Sequence, residues 1–255
     1  MADMESEQQQ PGVFVHFLPS LLVAGALSGS VAVVVDVLRA TSVMVQALAS
    51  GAEAVIPCLE IDEARTLAAS LPMGSVILAG ERQGLAIDGF DFGNSPDAFT
   101  RNVCGGRTLV MTTTNGTRAI LGSLDADKVF IAAFSNLSAT IGALADFDGP
   151  IHIVGSGTDG HISFEDSALA GAIAVGLGRP FGNDEALIAA GLWGTCRSSL
   201  ENGRSLFDLL GMGRGGRRVR SLGLADDLKA AAAIDRNPIV VTLTREPLRI
   251  VRQEA

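Results

Sequence analysis

The chain of 255 residues contains no tyrosine and one tryptophan, and only 5% of its residues are aromatic. It therefore has little material for the stacking platforms that bind single-stranded nucleic acid. Its formal net charge of −9 argues equally against a broad basic surface for duplexes. We expect no nucleic-acid partner.

Cysteine is also scarce. Cys58, Cys104 and Cys196 are odd in number, lie far apart and form no CxxC pair, which argues against a disulfide framework or a zinc site. We expect all three to be reduced.

Long apolar runs are missing as well. No run approaches the roughly 20 residues that a membrane-spanning helix needs, so we expect no membrane partner. Residues 1–12 are acidic and polar, unlike a signal peptide, and are predicted to be a disordered tail. The expected location is the cytoplasm, with residues 13–255 forming a single domain whose region 180–235 could be a mainly helical subdomain.

Short β-branched runs alternate with helical stretches rich in alanine and leucine along most of the chain. VAVVVDV is followed by TSVMVQALASG, and IHIVGSG by SFEDSALAGAIAVGL. The strands are continuously apolar, which is typical of strands buried on both faces. The pattern predicts an α/β protein, a three-layer α/β/α sandwich with a mostly parallel sheet.

Charged residues stand directly after two of the predicted strands, where ligands bind in open α/β sheets. VVVDVLRATS places Asp36 and Arg39 after buried valines, and AGERQG places Glu81 and Arg82 after another strand. A lone charge at such a position needs a partner or a ligand, because its desolvation is costly. Two acids and two arginines on one rim favour a divalent cation together with an anion.

A hydroxyl-rich loop, TTTNGT at residues 112–117, follows a third strand. Its hydroxyls, its glycine and the N–H groups of the following helix suit phosphate, but it lacks the lysine and spacing of a nucleotide P-loop. Helix capping is the alternative explanation for single Ser, Thr and Asn residues. The loop GSGTDG matches a dinucleotide motif, yet no second strand ending in an acid follows, so NAD is not expected.

The one basic cluster of the chain is RGGRRVR, residues 214–220. It is predicted to be a solvated loop. Local attraction of an anion is the alternative interpretation.

Four segments in order resemble the 2-phosphosulfolactate phosphatases, magnesium-dependent enzymes associated with coenzyme M biosynthesis. They are VVVDVLRATSVMVQALASGA, AGERQGLAIDGFDFGNSP, TTTNGTRAI and GTDGHISFEDSALAG, with a weaker match in SLGLADDLKAAAAIDRNPIVV. The resemblance implies an α/β fold peculiar to the family, a Mg²⁺ cofactor and a phosphoric monoester hydrolase. The expected reaction converts (2R)-2-phospho-3-sulfolactate to 3-sulfolactate and phosphate.

The roles of the matching residues are hypotheses. The expected metal ligands are Asp36, Glu81 and one or both of Glu165 and Asp166. The expected catalytic residues are Asp36, Arg39, Arg82 and Asn115. The residues expected to bind substrate or phosphate are Thr41, Asn94, Thr112, Thr113, Thr114, Gly116 and Gly157.

Several alternatives stay open at this point. Asp36 could hold the metal beside an attacking water, or it could itself form a phosphoaspartate. The substrate could be another phosphorylated α-hydroxy carboxylate, and a non-enzymatic anion-binding protein is the hypothesis from a different class. The mean hydropathy of +0.35 also leaves a homo-oligomer open.

Overall fold

A computed structural model of the protein describes residues 11–254. Most of the predicted disordered tail, residues 1–12, lies outside the described residues. The strands are β1 Val13–His16, β2 Val31–Val35, β3 Ala54–Cys58, β4 Val76–Arg82, β5 Leu85–Ala86, β6 Thr108–Thr112, β7 Lys128–Ala132, β8 Ile151–Gly155, β9 Val241–Arg245 and β10 Leu248–Arg252. The α-helices are α1 Ala40–Ala49, α2 Ile61–Ser70, α3 Arg101–Cys104, α4 Gly116–Leu121, α5 Leu137–Ala145, α6 Phe164–Leu177, α7 Asp184–Glu201, α8 Leu206–Leu210, α9 Arg214–Ser221 and α10 Ala225–Ala231.

The strands form one sheet in the order β1-β8-β2-β7-β9-β10-β3-β6-β4-β5. Strands β1, β8, β2 and β7 are mutually parallel, as are β3, β6 and β4. The antiparallel hairpin β9–β10 stands between these two groups. The prediction of a mostly parallel α/β sheet is confirmed, whereas β10 and the central hairpin were not predicted.

Strand β2 shows why the sheet needs helices on both faces. Val31, Val33 and Val35 pack into one apolar core with residues of α6 and α7. Ala32 and Val34 pack into a second core with residues of α1. Successive side chains of a strand point to opposite faces of the sheet. Helices therefore cover both faces of this all-apolar strand, consistent with the three-layer sandwich.

The two parallel groups run in opposite directions, because three antiparallel pairings separate β7 from β3. In a flat sheet the ends of β2 and β6 would lie on opposite edges and about 24 Å apart, five strand spacings. The structure instead brings Gly116, just after β6, against the Asp36 carboxylate, just after β2. The sheet therefore departs strongly from a plane, as the accumulated twist of its strands allows, and the two sets of carboxyl ends meet.

Helix α1 packs against both groups, contacting β7, β3 and β10. All of its residues except Gln46 and Ala49 are buried. Its end agrees with the sequence, since Gly51 adopts φ +94° just beyond Ala49. A helix that is apolar almost all round belongs in the interior.

The region 180–235 contains the helices α7 to α10, and its being a separate subdomain stays a prediction. The prediction of a solvated loop at 214–220 was wrong, because these residues form α9 and Val219 is buried. The three cysteines are free and buried, as expected for reduced thiols.

Candidate active site

One cavity of about 50 Å³ lies where the carboxyl ends of β2, β4, β6 and β8 meet. It has room for a few waters or a small anion and is far below the roughly 300 Å³ at which drug-sized ligand pockets begin. Its lining brings several of the strand-end residues together. The lining residues are Asp36, Leu38, Arg39, Glu81, Gln83, Gly84, Asn94, Thr113, Thr114, Asn115, Thr158, Asp159, Gly215, Arg218, Val219 and Leu222.

Asp36 lies in the wall of this cavity and is 6% exposed. Its Oδ1 accepts a hydrogen bond from Ala40 N at 3.2 Å, and Thr41 Oγ1 donates to its backbone oxygen at 2.9 Å. A side chain at Gly116 would bring its Cβ within 2.8 Å of Asp36 Oδ2. The glycine of TTTNGT is therefore required for this loop to approach the carboxylate, and Thr41 positions Asp36 from outside the cavity lining.

Three buried acids repel one another here. Burial, together with the charge on Glu81, raises the pKa of Asp36 to about 6 against opposing hydrogen bonds from Ser156 and Ala40. Burial and the charge on Asp36 raise the pKa of Glu165 to about 7. Burial, Asp36 and Glu165 raise the pKa of Asp166 well above its usual range. All three can be ionised near neutral pH only if a positive charge compensates them.

Glu165 and Asp166 lie behind the cavity wall, at the start of α6. Asp166 accepts from Val37 N at 2.8 Å and from Gly157 N at 3.0 Å, so it ties the loop after β2 to the loop after β8. Glu165 Oε2 is buried without a hydrogen-bond partner. Of these two predicted metal ligands, Glu165 has the unused carboxylate oxygen.

Glu81 lines the cavity, but both of its carboxylate oxygens already accept hydrogen bonds. Oε1 accepts from Thr114 N at 2.8 Å, and Oε2 accepts from Gly84 N at 2.7 Å. Glu81 therefore joins the β4–β5 turn to the hydroxyl-rich loop, a positioning task that the sequence did not indicate.

Arg39 also lines the cavity, with its charge already paired. Its NH1 lies 2.6 Å from Asp227 Oδ2, and its NH2 donates to Gly84 O at 2.8 Å. Arg39 and Asp227 are 5% and 7% exposed. Sequence reasoning missed Asp227, although it lies in the weakly matching segment SLGLADDLK, where an acid precedes an apolar helix.

The structure does not place Arg82 at the cavity. Its NH2 donates to Leu59 O at 3.1 Å and to Thr112 Oγ1 at 2.9 Å, and its NH1 donates to the adjacent Glu81 O. It lines a separate open groove with Glu60 and neighbouring residues. The expectation that Arg82 and Thr112 face the same ligand as Arg39 is corrected, because these two side chains satisfy each other and a β3–α2 carbonyl.

The remaining predicted contact residues fall into two groups. Asn94 Oδ1 and Thr114 Oγ1 are buried without hydrogen-bond partners, and both residues line the cavity. Thr113, which also lines it, bonds instead to Thr117 Oγ1 at 3.1 Å. Buried polar groups without partners are rare. Thr114 therefore has a free hydroxyl, and Asn94 has a free acceptor oxygen.

Helix α9 forms a wall of the cavity that was not predicted. Gly215, Arg218, Val219 and Leu222 line it, spaced as neighbours on one helical face. A Cβ at Gly215 would fall 2.0 Å from Glu165 Oε1. In RGGRRVR, Gly215 and Arg218 are three residues apart, as on one face of a helix. That spacing was the sequence signal that could have indicated this wall.

The donors present fit a divalent cation in their chemistry. Asp36 and Glu165 offer carboxylate oxygens, and burial raises the pKa of both carboxyls, so a bound cation would stabilise their ionised forms. Among residues 11–254, however, no three His, Cys, Asp or Glu side chains are grouped so as to hold a metal ion. Mg²⁺ commonly binds one or two carboxylates and completes its shell with waters and substrate phosphate oxygens, and that mode suits this site.

The fold and the cavity define an α/β protein with a small polar cavity at its strand ends. Residues 17–246 match the family profile described as 2-phosphosulpholactate phosphatase. The chain belongs to the 2-phosphosulfolactate phosphatase family. By class it is a phosphatase, a phosphoric monoester hydrolase.

Three relatives illustrate this similarity, each named "Probable 2-phosphosulfolactate phosphatase". The protein from Symbiobacterium thermophilum is 40% identical over 87% of this chain and 94% of its own length. The protein from Gloeobacter violaceus is 38% identical over 88% and 91%. The protein from Synechococcus sp. strain WH7803 is 39% identical over 89% and 93%. No helix within residues 11–254 is both long and apolar enough to cross a membrane.

Proposed function

We propose that the protein hydrolyses 2-phosphosulfolactate to 3-sulfolactate and phosphate, with Mg²⁺ as its cofactor. The family and the names of the relatives support the substrate. The observation that carries the proposal is Asp36, a buried carboxylate with a raised pKa in a small cavity at the strand ends.

Asp36 and Glu165 would hold the cation. When bound, Mg²⁺ supplies positive charge that stabilises the phosphoryl oxygens and acidifies a water. This assignment omits Asp166, whose oxygens are occupied by backbone N–H groups. It also leaves Glu81 to position the two loops that face the substrate.

The protein's own residues orient the phosphate. Thr114 Oγ1 can donate to a phosphoryl oxygen, since it has no partner in the protein. Asn94 can donate through its amide nitrogen, and Asn115 lies beside Thr114 on the same wall. Donors fixed in a partly water-excluded site stabilise charge in the transition state without having to reorganise.

Phosphate release from 2-phosphosulfolactate and from 2-phospholactate, each with Mg²⁺ or with EDTA, tests the proposal. We expect Mg²⁺-dependent release that is fastest with the sulfonated ester. Release from phospholactate alone would retain the chemistry and refute the substrate. Folded protein that releases phosphate from neither ester would refute both and favour an anion-binding protein.

The same enzyme also distinguishes the two chemical routes. Acid quenching during turnover would trap a phosphorylated protein if Asp36 were the nucleophile. We expect no phosphorylated protein, because the proposal assigns the attack on phosphorus to a water rather than to Asp36.

A further inference from the structure

The basic cluster of α9 has no part in the function proposed above, and one of its arginines lines the cavity. Arg217 donates to Met212 O, and the Arg220 guanidinium lies 4.9 Å from the centre of the Phe207 ring. Arg218 lines the cavity and donates to Gln83 O at 2.5 Å. The arginines of this helix therefore have different surroundings, and only some are committed to the fold.

The charges around the cavity are unbalanced. Its lining contains three acids, Asp36, Glu81 and Asp159, and two arginines, Arg39 and Arg218. The charge of Arg39 is compensated by Asp227. Arg218 forms no ion pair with an acid within the described part of the chain. Of the two lining arginines, Arg218 is the one without an ion-pair partner among the described residues.

The position of Arg218 separates it from the reacting end of the site. Asp36 is buried in the wall, whereas Arg218 is exposed, on a helix that meets the β4–β5 turn. A Cβ at Gly84 would lie 2.7 Å from Leu222 Cδ1 and 3.6 Å from Arg218 Nε, so the turn and helix are in close contact. Arg218 lines the cavity and is exposed, so we place it at the mouth, whereas the Asp36 carboxylate is buried in the wall.

The geometry points to Arg218 as a specificity-determining residue that binds the anionic group remote from the reacting phosphorus. This inference rests on the proposed function. In 2-phosphosulfolactate the phosphate and the carboxylate share one carbon, and the sulfonate is on the next. With the phosphate beside Asp36, the sulfonate is the group that reaches the mouth. A guanidinium offers five N–H donors in a planar fork, and one donation to Gln83 leaves others for sulfonate oxygens.

Steady-state kinetics with two esters test this inference. The variants are Arg218→Gln, Arg218→Lys and a charge-matched control, Arg214→Gln, which changes an exposed arginine of the same helix outside the cavity lining. For Arg218→Gln we expect kcat/KM for 2-phosphosulfolactate to fall roughly 10- to 100-fold, mainly through KM, as for a lost charge-assisted hydrogen bond. With 2-phospholactate, which lacks the sulfonate, the change should stay within about threefold.

The controls separate a specific contact from a general charge effect. Arg218→Lys should recover part of the loss, since it keeps the charge without the fork. Arg214→Gln should alter both esters little. Equal losses on the two esters, or equal losses in Arg218→Gln and Arg214→Gln, would overturn the inference.

Calorimetric titration of 3-sulfolactate and lactate tests the subsite without turnover. Wild-type protein should bind 3-sulfolactate more tightly than lactate, and Arg218→Gln should lose that preference. If the wild type releases no phosphate yet shows this preference, the proposed reaction fails and the anion subsite stands. If the wild type shows no preference for 3-sulfolactate, the inference fails even when phosphate is released.

Discussion

Two strand ends of this protein each carry an acid followed by an arginine, and the fold uses the two pairs differently. After β2, Asp36 and Arg39 both line the cavity, and the arginine is held by Asp227. At the end of β4, Glu81 is bonded to two backbone N–H groups and Arg82 turns to Thr112. An acid and an arginine can therefore both line a cavity at one strand end and divide between two sets of loop contacts at the other. The predictions below test that difference.

The largest effect is expected for Asp36→Asn. The amide is nearly isosteric and can still accept from Ala40 N, but it cannot carry the charge that a cation needs. We expect kcat to fall by about 10³-fold or more, with little change in the free energy of unfolding. Phosphate release and denaturant unfolding measure the two quantities. A kcat near wild type in folded protein would show that Asp36 is not at the reacting centre.

The next effect concerns the partner of Arg39. Asp227→Ala leaves a buried guanidinium without its carboxylate, so the free energy of unfolding should fall by about 3–5 kcal/mol. Asp226→Ala is the matched control, because Asp226 pairs with Lys229 on the surface, where both side chains are mostly exposed. Urea unfolding of both variants checks this, and similar losses in the two would contradict a buried ion pair.

Glu81→Gln should affect stability more than Asp36→Asn does. A glutamine side chain has one acceptor oxygen, so either Thr114 N or Gly84 N loses its partner. We expect a loss of about 1–3 kcal/mol in the free energy of unfolding. Unfolding of the two variants side by side makes the comparison, and an unchanged midpoint for Glu81→Gln would refute its positioning role.

The pH dependence of stability follows from the buried acids. Folding raises the pKa of Asp36 to about 6 and that of Glu165 to about 7. Between the unfolded and folded values the native state binds more protons than the unfolded state, so these groups make stability fall as pH rises. In EDTA, Tm should therefore decrease from about pH 5 to about pH 8.

Two further measurements test whether the buried acids cause this pH dependence of Tm. Glu165→Gln cannot ionise at this position, so its Tm should fall less steeply with pH. Mg²⁺ should raise Tm more at the higher pH, where the carboxylates are available to bind it. A slope identical to wild type in Glu165→Gln would remove Glu165 from this explanation.

The smallest effect is expected for Arg82→Gln. Arg82 lies outside the cavity, so kcat/KM should stay within about threefold and stability within about 1 kcal/mol. Kinetics with 2-phosphosulfolactate check this. A loss comparable to that of Arg218→Gln would mean that Arg82 reaches the substrate after all.

Much of the architecture could be predicted from local pattern. The all-apolar strand β2 requires cover on both faces, and Gly51 ends α1, since both effects act within a few residues. The second strand of the central hairpin was harder to predict, because β10 has the sequence LRIVR, with basic residues that do not mark a buried strand. The pairing of β10 with β3 joins residues almost 200 positions apart, as in Ile250 with Val55.

The site, too, has features that local sequence predicts and features that depend on long-range contacts. The sequence by itself determined which residues stand at the strand ends, because strand length and helix start are local properties, and so it identified Asp36, Glu81 and the loop 112–117. Only the tertiary structure decided which of them face one cavity. Contacts between distant segments determine the shape of the sheet, the Arg39–Asp227 pair and the position of Arg218. In those contacts, packing and desolvation distinguish side chains whose local sequence patterns are alike.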